Sequence, residues 1–288
     1  MTKLGHCRFC QSTNFIKLFD KYGYEVVKCQ RCGLIFLNFN PTAEFITDYY
    51  GENFFNDPGT KHGFKNYERE RDTLQKTFSE RIEVIKRERS FGKLLDIGCA
   101  TGIFLEEATK YWDAYGVEIS TYAANIAKNK NLNVFAGELH HCPYLKLRFD
   151  IVTLWDTIEH LNDPAETVKK IGAITAPGGF IFLTTGDVES LAAKLSGKFW
   201  HLYNIPQHLS FFSPKTIGPL LWQGGFKIRK ISYPGAHFTL DYLLFRLATF
   251  YKFNSALSFY ESLRRRRLLN QSLMINLHDI MFVAAQKQ

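Results

Sequence analysis

The chain has 288 residues, with 36 Lys and Arg against 28 Asp and Glu, a formal net charge of +8. Its 45% hydrophobic content and lack of biased tracts exclude a disordered or collagen-like chain, and the length suits one large domain plus a small one. No apolar run reaches the roughly 18 residues of a membrane-spanning helix, and Met1–Cys7 lacks the apolar core of a signal peptide, which points to a cytoplasmic chain. The positive excess suits an anionic partner without choosing among a phosphorylated metabolite, an anionic membrane surface and nucleic acid.

The first element is a cysteine framework. Cys7-x2-Cys10 is followed after 18 residues by Cys29-x2-Cys32, and each pair can turn both sulfurs onto one tetrahedral ion. Gly33 suits the tight turn after the last cysteine. The spacing predicts a structural Zn²⁺ held by Cys7, Cys10, Cys29 and Cys32 in a zinc ribbon over residues 1–40, a segment too short to build a core unaided. Residues 41–91 read as a helical and aromatic connector. Within it, Tyr49-Tyr50-Gly51-Glu52-Asn53-Phe54-Phe55, closed by Asp57-Pro58-Gly59, fits either a lid over a ligand or a connector packed on its neighbour. Leu74, Phe78, Ile82 and Ile85 recur at helical spacing and predict an amphipathic helix over 65–89.

Leu94–Ile97 reads as a buried strand, Gly98–Gly102 as a turn and Ile103–Ala108 as a helix, a geometry that brings a ligand against backbone N–H groups. The next strand, Ala114–Val117, ends at Glu118, a carboxylate placed to accept ribose hydroxyls. The turn lacks the spacing of pyrophosphate binders, and Asp96 just ahead of it repels phosphate and attracts an ammonium group. That favours S-adenosylmethionine over a dinucleotide.

Over most of residues 92–287 the chain resembles the class I S-adenosylmethionine-dependent methyltransferases. Asp96-Ile97-Gly98-Cys99-Ala100-Thr101-Gly102 matches their first motif, with Ala100 where a glycine is common, an exchange tolerable if φ stays negative. The resemblance implies an α/β domain over 92–288 with a Rossmann-like seven-stranded mixed sheet. Asn133–Glu138, Phe149–Trp155, Phe180–Thr185, Phe226–Ile231 and Asp279–Ala285 supply the later strands in order. It implies cofactor contacts from Asp96, Gly98, Cys99, Ala100, Gly102 and Glu118, with Glu138 near the adenine. Trp155 either stacks near the cofactor or packs in the core.

Methyl transfer is an in-line displacement, so the enzyme aligns a nucleophile and, for a hydroxyl acceptor, supplies a base. His160, in Glu159-His160-Leu161, and His208, in the stretch Trp200–Pro214, are the candidates. That stretch resembles a substrate-side segment of sugar C-methyltransferases that carry a zinc-bound N-terminal module. Ile205, Pro206 and Gln207 stand where those enzymes have a Tyr and an acidic residue, so their Glu–His pair is absent.

A helical insertion over 234–276 carries a stripe of Leu240, Leu243, Leu244, Leu247 and Tyr251, then Arg264–Arg267. It reads as a lid, a homodimer face or a peripheral membrane foot, with the packed readings preferred. The expected function is O- or C-methylation of a small-molecule acceptor: a sugar, glycan precursor or lipid-linked intermediate. RNA methylation through the ribbon ranks second, so nucleic acid is a disfavoured partner. A non-catalytic scaffold ranks last, because Asp96, Gly98, Gly102 and Glu118 are all present.

Overall fold

The computed structural model describes residues 2–56, 67–240 and 272–288. The expected leucine stripe beyond Leu240, Arg264–Arg267 and Asp57-Pro58-Gly59 lie outside the described residues.

Around the cysteine knuckles, β1 (Phe15–Lys21), β2 (Tyr24–Cys29) and β3 (Ile35–Leu37) form an antiparallel meander. Two short helices follow, α1 (Ala43–Tyr49) and α2 (Glu52–Asn56); Thr42 caps α1 by accepting the Phe45 N–H at 3.1 Å. The predicted amphipathic helix is α3 (Arg71–Glu88), entered through a 3-10 turn over Tyr67–Glu70, and it buries Thr73, Thr77, Phe78, Ile82 and Ile85.

The main domain then runs β4 (Lys93–Ile97), α4 (Ile103–Ala108), β5 (Asp113–Glu118), α5 (Thr121–Asn129), β6 (Asn133–Ala136), β7 (Phe149–Trp155), α6 (Pro164–Ile174) and β8 (Thr175–Gly186). It continues through α7 (Leu191–Ser196), β9 (Ser210–Phe211), α8 (Pro214–Gln223), β10 (Phe226–Ser232), the β11 (Ala236–Thr239) and β12 (Ser272–Ile275) pair, and β13 (Ile280–Lys287).

Seven strands make one sheet in the order β10-β13-β8-β7-β4-β5-β6. The five from β8 to β6 are parallel, and β13 lies antiparallel between β8 and β10. This is the mixed sheet expected from the sequence. Its central strands are buried on both faces, which is why Leu94–Ile97 and Ile151–Trp155 read as nearly continuous apolar runs. The ribbon sheet gains a fourth strand that its own sequence does not supply: β9 pairs antiparallel with β3, matching Ile35 with Phe211 and Phe36 with Ser210.

Helices α6 and α8 meet on one face of the main sheet through glycines. A Cβ on Gly172 would stand 2.0 Å from the Gly224 carbonyl oxygen, and one on Gly224 would stand 2.5 Å from the Val168 oxygen. Gly172→Ala is therefore expected to lower the unfolding free energy by about 1–3 kcal/mol, the usual cost of overpacking against backbone. An unchanged urea midpoint would show that the two helices can part freely.

Candidate active site

Strand order reverses between β4 and β7, and beyond their carboxyl ends a cavity of about 770 Å³ opens. The turn after β4 forms one wall. Gly98 has φ +76°, and a side chain there would put its Cβ 2.5 Å from Thr157 Oγ1. Ala100 corrects an expectation: its φ is +48°, in the left-handed region, not negative. The Ala100 N–H donates to Glu118 Oε2 at 2.8 Å, which holds the turn in a conformation that costs a non-glycine residue about 1–2 kcal/mol. Cys99 is a buried thiol in the same wall, whereas Gly102, at φ +83°, sits behind it against Leu132 at the start of α4.

Two buried acids flank this turn. Glu118 also accepts the Ser120 N–H through Oε1 at 2.8 Å, and burial raises its carboxyl above the ordinary range. Asp96 accepts the Thr153 hydroxyl at 2.7 Å, and burial pushes it up to about 8. Glu138 is exposed at the cavity rim.

Trp155 both lines the cavity and packs in the core, stacked on Phe282 at 6.0 Å and edge-on to Phe104 at 5.2 Å. Over its face lies Arg81 of α3, whose guanidinium carbon is 4.7 Å from a Trp155 ring centroid. The Arg81 Nε is shut off from water with no hydrogen-bond partner, and burial lowers the guanidinium pKa although Asp156, Tyr67 and Asp96 oppose that shift. Sequence reasoning passed over this residue. Its signal was an arginine three residues after Phe78 and four before Ile85, on the buried stripe of α3.

The same cavity brings together Glu159, His160 and His208, from the turn after β7 and the segment before β9. The two imidazole centroids are 4.8 Å apart at 89°. His208 Nδ1 lies 2.8 Å from the Leu202 carbonyl, and His160 Nδ1 lies 3.1 Å from both the Gln207 carbonyl and the Tyr50 hydroxyl. Burial pushes His160 down to about 4, so its imidazole is neutral at neutral pH. It pushes Glu159 up to about 8, with Asp156 adding to the shift. Rings from the connector, Tyr49, Tyr50, Phe54 and Phe55, line this cavity in edge and tilted contacts.

The four N-terminal cysteines are unbridged and converge. Cys7 and Cys32 place their sulfurs 3.5 Å apart, as do Cys10 and Cys29. Thiolates about 2.3 Å from one tetrahedral ion stand about 3.8 Å from each other, so the cluster is compatible with zinc.

Comparison with known proteins agrees with this geometry. The methyltransferase-domain family profile matches residues 67–231. The ubiquinone biosynthesis O-methyltransferase of Coxiella burnetii is 31% identical over 158 residues, 50% of this chain and 67% of that protein. Among solved structures, magnesium protoporphyrin IX methyltransferase from Synechocystis PCC 6803 with bound SAH superposes with a TM-score of 0.55 at 13% identity, covering 86% of this chain and all of that one. A SAM-dependent methyltransferase from Archaeoglobus fulgidus gives a TM-score of 0.50 at 21% identity, covering 75% and 94%.

A charged guanidinium whose Nε is shut off from water without a hydrogen-bond partner destabilises the cofactor-free protein. Arg81→Met keeps the bulk and removes the charge, and is expected to raise the unfolding free energy by about 1–2 kcal/mol in urea titrations. A loss of stability instead would mean that stacking on Trp155 outweighs the buried charge.

Proposed function

The chain belongs to the methyltransferase-domain family and is an S-adenosylmethionine-dependent methyltransferase, and from that premise we propose that it methylates a hydroxyl group of a small-molecule acceptor. One observation carries this reading: a single cavity of about 770 Å³ is lined both by the Gly98 turn and Glu118 and by Glu159, His160 and His208. Such a volume suits a cofactor with a small acceptor. The aromatic wall favours an acceptor with an apolar or ring portion, which includes a lipid-linked intermediate. The name of the Coxiella relative, a ubiquinone biosynthesis O-methyltransferase, is in keeping with that choice. Reduced cysteines suit the cytoplasm.

In this reading the bound cofactor supplies a sulfonium methyl group. Glu118 accepts the ribose hydroxyls, Glu138 lies toward the adenine, and Gly98, Cys99 and Ala100 let the cofactor approach the backbone. Gly102 keeps α4 tight against the turn. Asp96 and Arg81 make a cradle of opposite charges for the amino-acid end, with the ammonium on Asp96 and the carboxylate on Arg81. Trp155 closes the floor beneath them. The acceptor hydroxyl would lie by His160 and His208, and its proton would leave to solvent. Its oxygen then bonds to the methyl carbon as the carbon–sulfur bond breaks, and that bonding pair stays on sulfur. Cys7, Cys10, Cys29 and Cys32 hold one structural Zn²⁺ away from this chemistry.

Glu118→Ala is expected to weaken S-adenosylmethionine binding by about 1.5–3 kcal/mol in calorimetry, the worth of hydrogen bonds to a charged group. Unchanged affinity would put the ribose elsewhere.

A pH test addresses Asp96. In the free protein its carboxyl is largely protonated below about 8. An ammonium beside it favours the carboxylate, so binding releases a proton, and affinity should rise from about pH 6 to about pH 7.5. Equal affinity at both, with no proton release in buffers of different ionisation enthalpy, would remove Asp96 from the ammonium site.

Metal analysis of purified protein should give one zinc on the four cysteines. Cys29→Ser should lose that metal and melt earlier; a variant that kept both full zinc and full stability would contradict the assignment.

A further inference from the structure

We propose that Glu159, His160 and His208 form a divalent-metal site in the acceptor end of the cavity, distinct from the four-cysteine cluster. One donor atom from each of the three lies within 4.8 Å of the other two, close enough to converge on a single ion. Glu159 is only 4% exposed, and its Oε2 is out of contact with water and has no hydrogen-bond partner. An oxygen left in that state is costly unless a cation or a donor meets it.

Each histidine is backed by a main-chain carbonyl, as metal-binding imidazoles commonly are. His208 directs Nδ1 to the Leu202 carbonyl at 2.8 Å, and His160 directs Nδ1 to the Gln207 carbonyl at 3.1 Å. The Leu202 carbonyl can only accept, so it puts the ring proton of His208 on Nδ1 and fixes that ring, whereas His160 Nδ1 is shared between the Gln207 carbonyl and the Tyr50 hydroxyl. The backing is rigid as well, since the Leu209 N–H donates to the Glu159 carbonyl at 2.8 Å and ties the two segments together.

Two imidazoles and one carboxylate select a first-row divalent ion such as Zn²⁺, Mn²⁺ or Fe²⁺ over Mg²⁺ or Ca²⁺, and leave coordination positions open. Four thiolates, by contrast, close their site. A Lewis acid beside the acceptor lowers the pKa of its hydroxyl, so the proton departs to solvent before the oxygen takes the methyl group. This role rests on the proposal that the acceptor nucleophile is a hydroxyl oxygen; metal binding itself does not.

The test is a titration with Mn²⁺ of protein carrying one zinc per chain, on the four cysteines, followed by electron paramagnetic resonance. Mn²⁺ stands below Zn²⁺ in affinity for a given site and does not displace it from four thiolates. One bound Mn²⁺ per chain is expected. Glu159→Gln and His208→Ala should each weaken it at least tenfold while keeping the zinc and S-adenosylmethionine affinity of the parent. Should either variant fail to fold, the parent's stoichiometry and the other variant still decide. The proposal is overturned if folded, cofactor-binding parent takes up no Mn²⁺ and no second zinc, or if both variants bind Mn²⁺ as tightly as the parent. Mn²⁺ binding at these residues, with no methyl transfer to hydroxyl acceptors, would uphold the site and defeat the reading of the reaction.

Discussion

The acceptor end of the cavity depends on one short ladder of main-chain hydrogen bonds between distant parts of the chain. Leu37 of β3 donates its N–H to the Leu209 carbonyl at 2.9 Å, and Leu209 donates in turn to the Glu159 carbonyl at 2.8 Å. The ribbon edge is thereby completed by a strand of the main domain, and that strand is docked onto the turn carrying Glu159 and His160. Arg8, between Cys7 and Cys10, fastens the same turn from the ribbon side. It is 1% exposed and donates from Nη1 to the carbonyl and Oδ1 of Asn162 at 2.7 and 2.6 Å, and from Nη2 to the Phe39 carbonyl. Hydrogen bonds from a charged donor contribute about 1.5–3 kcal/mol each, enough to offset much of the desolvation that pushes Arg8 down to about 10. The cysteine knuckle thus braces the turn that carries Glu159 and His160, whatever chemistry its sulfurs perform.

Two side-chain-bearing residues with positive φ sit where the cavity opens. Ala100 follows β4, Asp156 follows β7, and each has φ +48°. Side-chain-bearing residues in this region cost about 1–3 kcal/mol and persist only when neighbours over-determine them. Both are locked from an adjacent strand. Ala100 gives its N–H to Glu118 at the end of β5, and Asp156 gives its own to the main chain and hydroxyl of Thr184 in β8, at 3.2 and 3.1 Å. The two strands on either side of the switch point therefore turn away from each other, and the crevice between them stays open for a ligand.

What could be read from the sequence follows the range of the forces involved. β7 matches its expected span residue for residue, and β4, β5 and β6 differ by a residue or two at their ends, because buried parallel strands announce themselves as local apolar runs. The cysteine cluster was legible because its geometry is set by spacing. β9 was not, since two residues have no periodicity and pair only because β3 offers an edge. The sign of φ at Ala100 was misjudged for a related reason: it is imposed by Glu118, which lies across the turn from it. Glu159 was visible beside His160, but nothing local indicated that folding would bury its carboxyl next to His208. Arg81 hid in plain view, since an arginine on a helical stripe ordinarily keeps its head in water.

Charge accounts for how these parts act together. Asp96, Glu118 and Glu159 are 1%, 6% and 4% exposed, and burial raises all three. A cavity lined by three desolvated acids and by a guanidinium whose Nε has no hydrogen-bond partner is costly until something of matching charge enters. Under the proposed assignment, S-adenosylmethionine brings a sulfonium and an ammonium to the acids and a carboxylate to Arg81, so cofactor binding and stability of the cavity are linked. Once the methyl group has moved, the sulfur is a neutral thioether while the acids remain. The field that favours the methyl donor then holds the product less strongly, so turnover is built into the same buried carboxylates that make the unliganded cavity costly.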